Sequence, residues 1–288
     1  MTGGPAVPAP TRAELRAHLV RTMIAGGVAT PRQNNLLHFR RMANGLPYYQ
    51  FGLELDPAWT ERTVLAMMVE RCGVDPDPMH LYGDDTIDPD LTIDALEAMG
   101  DRVGLAARRR ENVVLATGHP ANLTPLYQAL ARALAGRGCR VLTPSGGWTY
   151  QAIAYGPTEL RRLVYAPGGV AMLEDDGGRT QHTHDPDAMQ EMLAALAPRT
   201  RAFDTGARVE SASESSDWPD LAIADHGWAG AAGQAGIDTV GFADCNDPAL
   251  FAGAAEGKID VVVPLDDGIY PQHYAPLTAF LLARAGLG

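Results

Sequence analysis

Apolar positions in the first 110 residues recur at helical spacing, whereas the remainder alternates short apolar runs with polar loops. Thr11 followed by Glu14 is a capping box that predicts a helix over 15–24. Thr30 before Pro31 predicts an N-cap with proline at the first helical position, leading into a helix carrying Leu36, Leu37, Phe39 and Met42. Thr60 opens a third helix with Val64, Leu65, Met68 and Val69 on its apolar side. Thr92 or Asp94 opens a fourth, ending near the arginines at 108–110, which read as a solvated helix end.

From Asn112 the pattern changes. Residues 113–116 form an apolar run suited to a buried strand, followed by a helix that Thr124 caps with Pro125 at its first position. Residues 140–143 predict the next strand, ending in Pro144-Ser145-Gly146-Gly147. The runs 160–165 and 170–173 predict a hairpin or two adjoining strands, and 186–196 a helix. The polar stretch 199–217 reads as an exposed loop. Strands at 221–224, 239–243 and 261–265 then alternate with helices at 228–235 and 248–256. Such alternation implies an α/β fold: a mainly parallel, Rossmann-like sheet with helices on both faces, preceded by a helical N-terminal region. The expected division is 1–110, a lid over the strand ends or a dimer surface, and 111–288, the α/β catalytic domain. Tyr48, Tyr49 and residues 82–85 are the expected lid contacts. Ligands of such sheets bind at the carboxyl ends of the strands.

Composition narrows the partners. A formal charge of −12 disfavours nucleic acid, whose phosphates need a basic face. Three scattered cysteines give no disulfide framework or cysteine zinc motif. No run approaches the roughly 18 apolar residues of a membrane helix, and the Gly/Pro/Ala-rich start does not read as a signal peptide. The expectation is a cytoplasmic protein with no membrane or nucleic-acid partner, and a homodimer as one form it can take.

The strand ends carry the chemistry. They read Thr117-Gly118-His119-Pro120, His182-Thr183-His184-Asp185, Asp225-His226-Gly227, Asp244-Cys245-Asn246-Asp247 and Asp266-Asp267-Gly268. Four of the eight histidines fall there. A strand-end aspartate is more often a cap than a catalytic group, and Asp247 and Asp185, each before a proline, read first as caps. His182 and His184, two apart on an extended segment, point the same way. Asp225, Asp244 and Asp266 recur after three successive strands, which a shared capping need explains less easily. Mixed imidazole and carboxylate ligands suit a divalent metal: Mg²⁺ or Mn²⁺ first, where carboxylates predominate, with Zn²⁺ or Fe²⁺ as alternatives. Gly118 allows backbone to approach a ligand, the helix after it offers N–H groups to an anion, and Ser145 and Gly146 can do likewise. Dinucleotide, P-loop, serine-hydrolase, cysteine-phosphatase, histidine-phosphatase and haloacid-dehalogenase motifs are all absent.

These strings, with Ala116-Thr117-Gly118-His119-Pro120, Pro264-Leu265-Asp266-Asp267, the segment 21–55 and Tyr82-Gly83-Asp84-Asp85-Thr86-Ile87-Asp88-Pro89, resemble an actinobacterial family of phosphatases over nearly the whole chain. The resemblance implies phosphate-ester hydrolysis. The expected enzyme is a metal-assisted phosphatase acting on a small phosphorylated metabolite, a sugar phosphate or nucleotide. In that reading Asp225, Asp244, Asp266 and Asp267 hold the metal, and Thr117, Gly118, Ser145, Gly146, His182 and His184 bind phosphate. His119, His226 and Asp225 are the catalytic groups. The rivals are a non-catalytic sugar-phosphate-binding module of sugar-isomerase type and a metal-dependent lyase or amide hydrolase.

Overall fold

A computed structural model describes residues 9–152, 159–197 and 217–288. The predicted loop at 199–217 therefore lies, apart from Asp217, outside the described residues. The chain opens with α1 (Arg12–Arg21), β1 (Gly26–Pro31), α2 (Arg32–Ala43), a 3-10 turn (Pro47–Tyr49), α3 (Glu61–Cys72), β2 (Asp84–Ile87) and α4 (Pro89–Arg109). The first two strands pair antiparallel, so this region holds a small sheet that helical periodicity did not reveal. The rest runs β3 (Asn112–Ala116), α5 (Pro120–Gly136), β4 (Arg140–Val141), β5 (Thr149–Ala152), β6 (Glu159–Ala166), β7 (Val170–Glu174), β8 (Thr180–Gln181) and α6 (Asp187–Leu196). It closes with β9 (Leu221–Asp225), α7 (His226–Gln234), β10 (Asp238–Ala243), α8 (Pro248–Ala255), β11 (Val261–Pro264), a second 3-10 turn and α9 (Ala275–Arg284).

The large sheet has the order β11-β10-β9-β3-β7-β6-β5. Strands β11, β10, β9, β3 and β7 run parallel, while β6 and β5 return antiparallel as a hairpin extension. The parallel strands are buried on both faces and read as continuous apolar runs such as Val113-Val114-Leu115-Ala116. After β3 the chain moves to one side, through β4 to β7, and later to the other, through β9 to β11. The order thus reverses at β3, where a crevice opens at the carboxyl ends.

Strand β7 shares one edge between two partners. β3 covers its start in parallel and β8 its end antiparallel. The two chains meet where Thr183 N donates to Gly118 O at 3.0 Å. The first third packs on this sheet: α4 lies along β11 and α9, and Thr92 Oγ1 donates to Pro264 O.

Several predicted caps are displaced. The capping boxes of α1 and α3 stand as read. By contrast α2 starts at Arg32 and α4 at Pro89, the latter capped by Asp88. Helix α5 starts at Pro120, whose fixed φ and missing N–H suit the first position. Thr124 is consequently inside the helix, donating to Pro120 O, and Pro125 sits in its interior. The strand predicted at 140–143 pairs only over Arg140–Val141, because β7 takes the place beside the end of β3.

Candidate functional site

His226 is the hub of the strand-end crevice. It begins α7 in a left-handed conformation, φ 46°, directly after β9 delivers Asp225. Its Nδ1 lies 3.0 Å from Asp225 Oδ1, and since a carboxylate only accepts, the proton sits on Nδ1. Its Nε2 lies 3.1 Å from Asp247 Oδ2 and 3.5 Å from Asp267 Oδ2. Burial opposes charge on this ring, but Asp247 and Asp225 outweigh it and hold the pKa well above 6.5.

Asp225 is fully buried and fully used. Oδ1 also accepts from Gly118 N, and Oδ2 accepts from Thr117 Oγ1 at 2.7 Å and Tyr127 Oη at 3.0 Å. Burial works against its charge, yet these bonds, led by that from His226, keep its pKa below the ordinary value. Gly118 is needed for this approach: a Cβ there would stand 2.4 Å from Thr183 O and 3.1 Å from Asp225 Oδ1 and His226 Nδ1.

Three more imidazoles surround the hub. His119 stacks on His226 with ring centres 4.9 Å apart, and His184 stacks on its other side at 4.7 Å. His182 meets His119 at 4.2 Å and is the exposed member of the set. Burial first, then the positive His226, lowers His119 to about 3, His182 to about 4, and His184 well below 6.5. Tyr48 stacks on His184 at 4.9 Å, and Phe51 sets its edge against both His184 and His226. This segment of the first third lies so close over α7 that a Cβ on Gly230 would be 1.9 Å from Phe51 O.

Residues 10–288 match the family described as Phosphatase. The chain belongs to that family. A curated relative, phosphatase SCO2771 of Streptomyces coelicolor, is 47% identical over 280 residues, covering 96% of this chain and 97% of its own. The resemblance to actinobacterial phosphatases read from the motifs is thus borne out.

The crevice of this phosphatase-family chain gathers some of the expected residues and not others. His119, His182, His184, His226, Asp225 and Asp267 converge, and Thr117 and Gly118 stand behind them, bonded to Asp225. Gly118 admits backbone to a carboxylate, not to a ligand. Ser145 and Gly146 lie in the turn after β4, where Ser145 Oγ meets Glu191 of α6 at 3.2 Å and Gly146 faces Tyr165, and they touch none of the four rings. Asp244 accepts from Thr30 Oγ1 and Cys245 N, and burial beside Asp266 and Asp247 lifts its pKa to about 7. Asp266 caps its own turn through Gly268 N, and burial raises it too.

Among the described residues, two groups of three bring one ligand atom each within 4.8 Å of one another: His119, His182 and His226, and His184, His226 and Asp247. Both centre on imidazole, whereas the expectation centred on four aspartates. Asp247 was read as a cap, and it does occupy the N-cap position of α8, but it makes no side-chain cap bond there. Its carboxylate goes to His226 instead. The signal available in the sequence was the recurrence of Asp-containing loops after β9, β10 and β11. Tyr127 and Phe51, in helical and turn segments, carried none.

The five aspartates around one charged histidine leave buried polar atoms without partners: His184 Nδ1, Asp247 Oδ1 and Asp267 Oδ2. Burying such atoms unpaired costs about 1–3 kcal/mol each. No helix among the described residues is long and apolar enough to cross a membrane.

Proposed function

We propose that the chain hydrolyses phosphate monoesters in this crevice, with a divalent metal ion held by His184, His226 and Asp247. The observation that carries the reading is His226, one nitrogen fixed by buried Asp225 and the other turned to Asp247. Metal-ligating histidines characteristically donate their second ring nitrogen to a carboxylate in this way. The partnerless His184 Nδ1 and Asp247 Oδ1 fit the same ion. An imidazole-rich donor set favours Mn²⁺, Zn²⁺ or Fe²⁺ over Mg²⁺, which prefers oxygen. When bound, such an ion neutralises phosphoryl oxygens and lowers the pKa of water.

The chain's own residues set up the rest. Asp225 positions His226, and Thr117, Gly118 and Tyr127 position Asp225. Tyr48 and Phe51 exclude water from one side of the rings, so the substrate approaches past exposed His182. That single open side suits a small phosphorylated metabolite, a sugar phosphate or a nucleotide. In the reaction, water oxygen bonds to phosphorus and the ester P–O bond breaks. The proton given up by water ends on the leaving alkoxide, yielding an alcohol and inorganic phosphate. The Rossmann-like reading of the sheet and the first 110 residues as a cover agree with this placement at the β3 reversal.

The test is phosphate release from a panel of sugar phosphates and nucleotides by chelator-dialysed protein, with Mn²⁺, Zn²⁺ or Mg²⁺ added back. Activity should vanish on chelation and return best with Mn²⁺ or Zn²⁺, and His226→Asn and Asp247→Asn should each abolish it. Full turnover by the chelated protein, or by both variants, would overturn the assignment.

A further inference from the structure

Asp267 has its two carboxylate oxygens pointed at two different histidines. Oδ1 lies 3.5 Å from His119 Nε2, and Oδ2 lies 3.5 Å from His226 Nε2. The residue is 5% exposed, and Oδ2 has no hydrogen-bond partner. Its orientation is set by its neighbour: Asp266 N donates to Ile24 O, and Asp266 Oδ1 accepts from Gly268 N, closing the turn around Asp267.

The two ligand-competent triads overlap in His226. Its Nδ1 is committed to Asp225, so it offers one lone pair, on Nε2, and can complete only one triad. Asp247, 3.1 Å from that nitrogen, claims it for the group with His184. His119 and His182, with rings 4.2 Å apart, are then left with a third donor beside them, Asp267 Oδ1.

We propose that the crevice is a two-ion centre: a second divalent ion sits on His119, His182 and Asp267, and Asp267 bridges it to the ion on His184, His226 and Asp247. Paired ions about 3.5–4 Å apart clamp a phosphoryl group between two positive charges. A second ion also offsets the aspartates that otherwise repel a phosphate dianion. The inference rests on the first ion proposed above, but goes beyond it in number and in the role of Asp267.

The test counts ions. Chelator-dialysed full-length chain is loaded with MnCl₂, desalted, and measured by plasma mass spectrometry and by electron paramagnetic resonance. About two Mn per chain with an exchange-coupled spectrum is expected, as for a bridged pair. Asp267→Asn and, independently, His182→Ala at the exposed ring should each halve the count and leave an isolated six-line spectrum, with unchanged far-UV circular dichroism. A wild-type count of one with an uncoupled spectrum overturns the second site and leaves the first ion standing. Retention of a coupled pair by Asp267→Asn overturns the bridge. No bound Mn, with phosphate release intact, overturns both readings.

Discussion

Asp225 and His226 are consecutive in the chain, yet their side chains hydrogen-bond at 3.0 Å across the turn from β9 into α7. The left-handed backbone at His226 accompanies this approach. Asp225→Asn keeps the shape and an oxygen for Gly118 N and His226 Nδ1, while the Thr117 and Tyr127 hydroxyls can turn to accept from the amide. The fold should therefore survive, while loss of the negative charge lowers metal affinity and phosphatase turnover about 10–100-fold. Metal titration and phosphate release, compared with the wild type, check this; equal activity would refute it.

Asp244 gives a pH signature. Its pKa rises from 3.8 to about 7 in the folded metal-free chain, with burial as the main cause. Between those values the native state holds a proton that the unfolded state has lost, so stability is full below about 4 and declines as pH rises through about 7. Thermal melts of chelated protein across this range should show the decline, and Asp244→Asn should flatten it. A steeper decline in the variant would contradict the assignment.

Gly118→Ala tests the junction behind the hub. The new Cβ must displace Thr183 O, 2.4 Å away, or the Asp225–His226 pair. Overpacking of this kind costs about 1–3 kcal/mol. Urea unfolding should register that loss, and the displaced pair should cost more in turnover than the stability change alone explains.

Tyr48 covers one face of His184, whose ring is otherwise enclosed by Phe51 and His226. In chelated protein, Tyr48→Ala should expose an unprotonated imidazole to diethyl pyrocarbonate. Peptide mass spectrometry should find His184 modified several-fold faster than in wild type, with Tyr48→Phe close to wild type. Equal rates in all three would show that the tyrosine does not shield the ring.

The sheet and its strand ends were legible because buried parallel strands announce themselves as short apolar runs, and crossovers send their following loops to one edge. The detailed use of hydroxyls and carboxylates was not. Thr30, Thr92 and Thr124 all carry the local signature of a helix cap, but tertiary partners or the helix itself take their side chains: Asp244, Pro264 O and Pro120 O. Asp247 shows the converse, standing in a cap position with its carboxylate turned to His226. Capping is a local preference worth about 1 kcal/mol, and a charged partner brought in by the fold outweighs it. Ser145 and Gly146 misled for a topological reason: β4 ends after two residues, and only the sheet order reveals that β7 displaces it from the crevice.

Arg32 and Asp85 form an ion pair with both side chains wholly out of solvent, at 2.7 Å. Asn35 bonds the same carboxylate and Cys245 Sγ, and Thr30 bonds Asp244 next to it. Lifting this part of the first third away would strand one of those charges, a penalty of about 3–5 kcal/mol. The covering over β10 is therefore a roof bolted to its walls, not a door. Substrate and product must share the doorway beside His182, and traffic through that doorway, not hinge motion, sets how fast the site can be refilled.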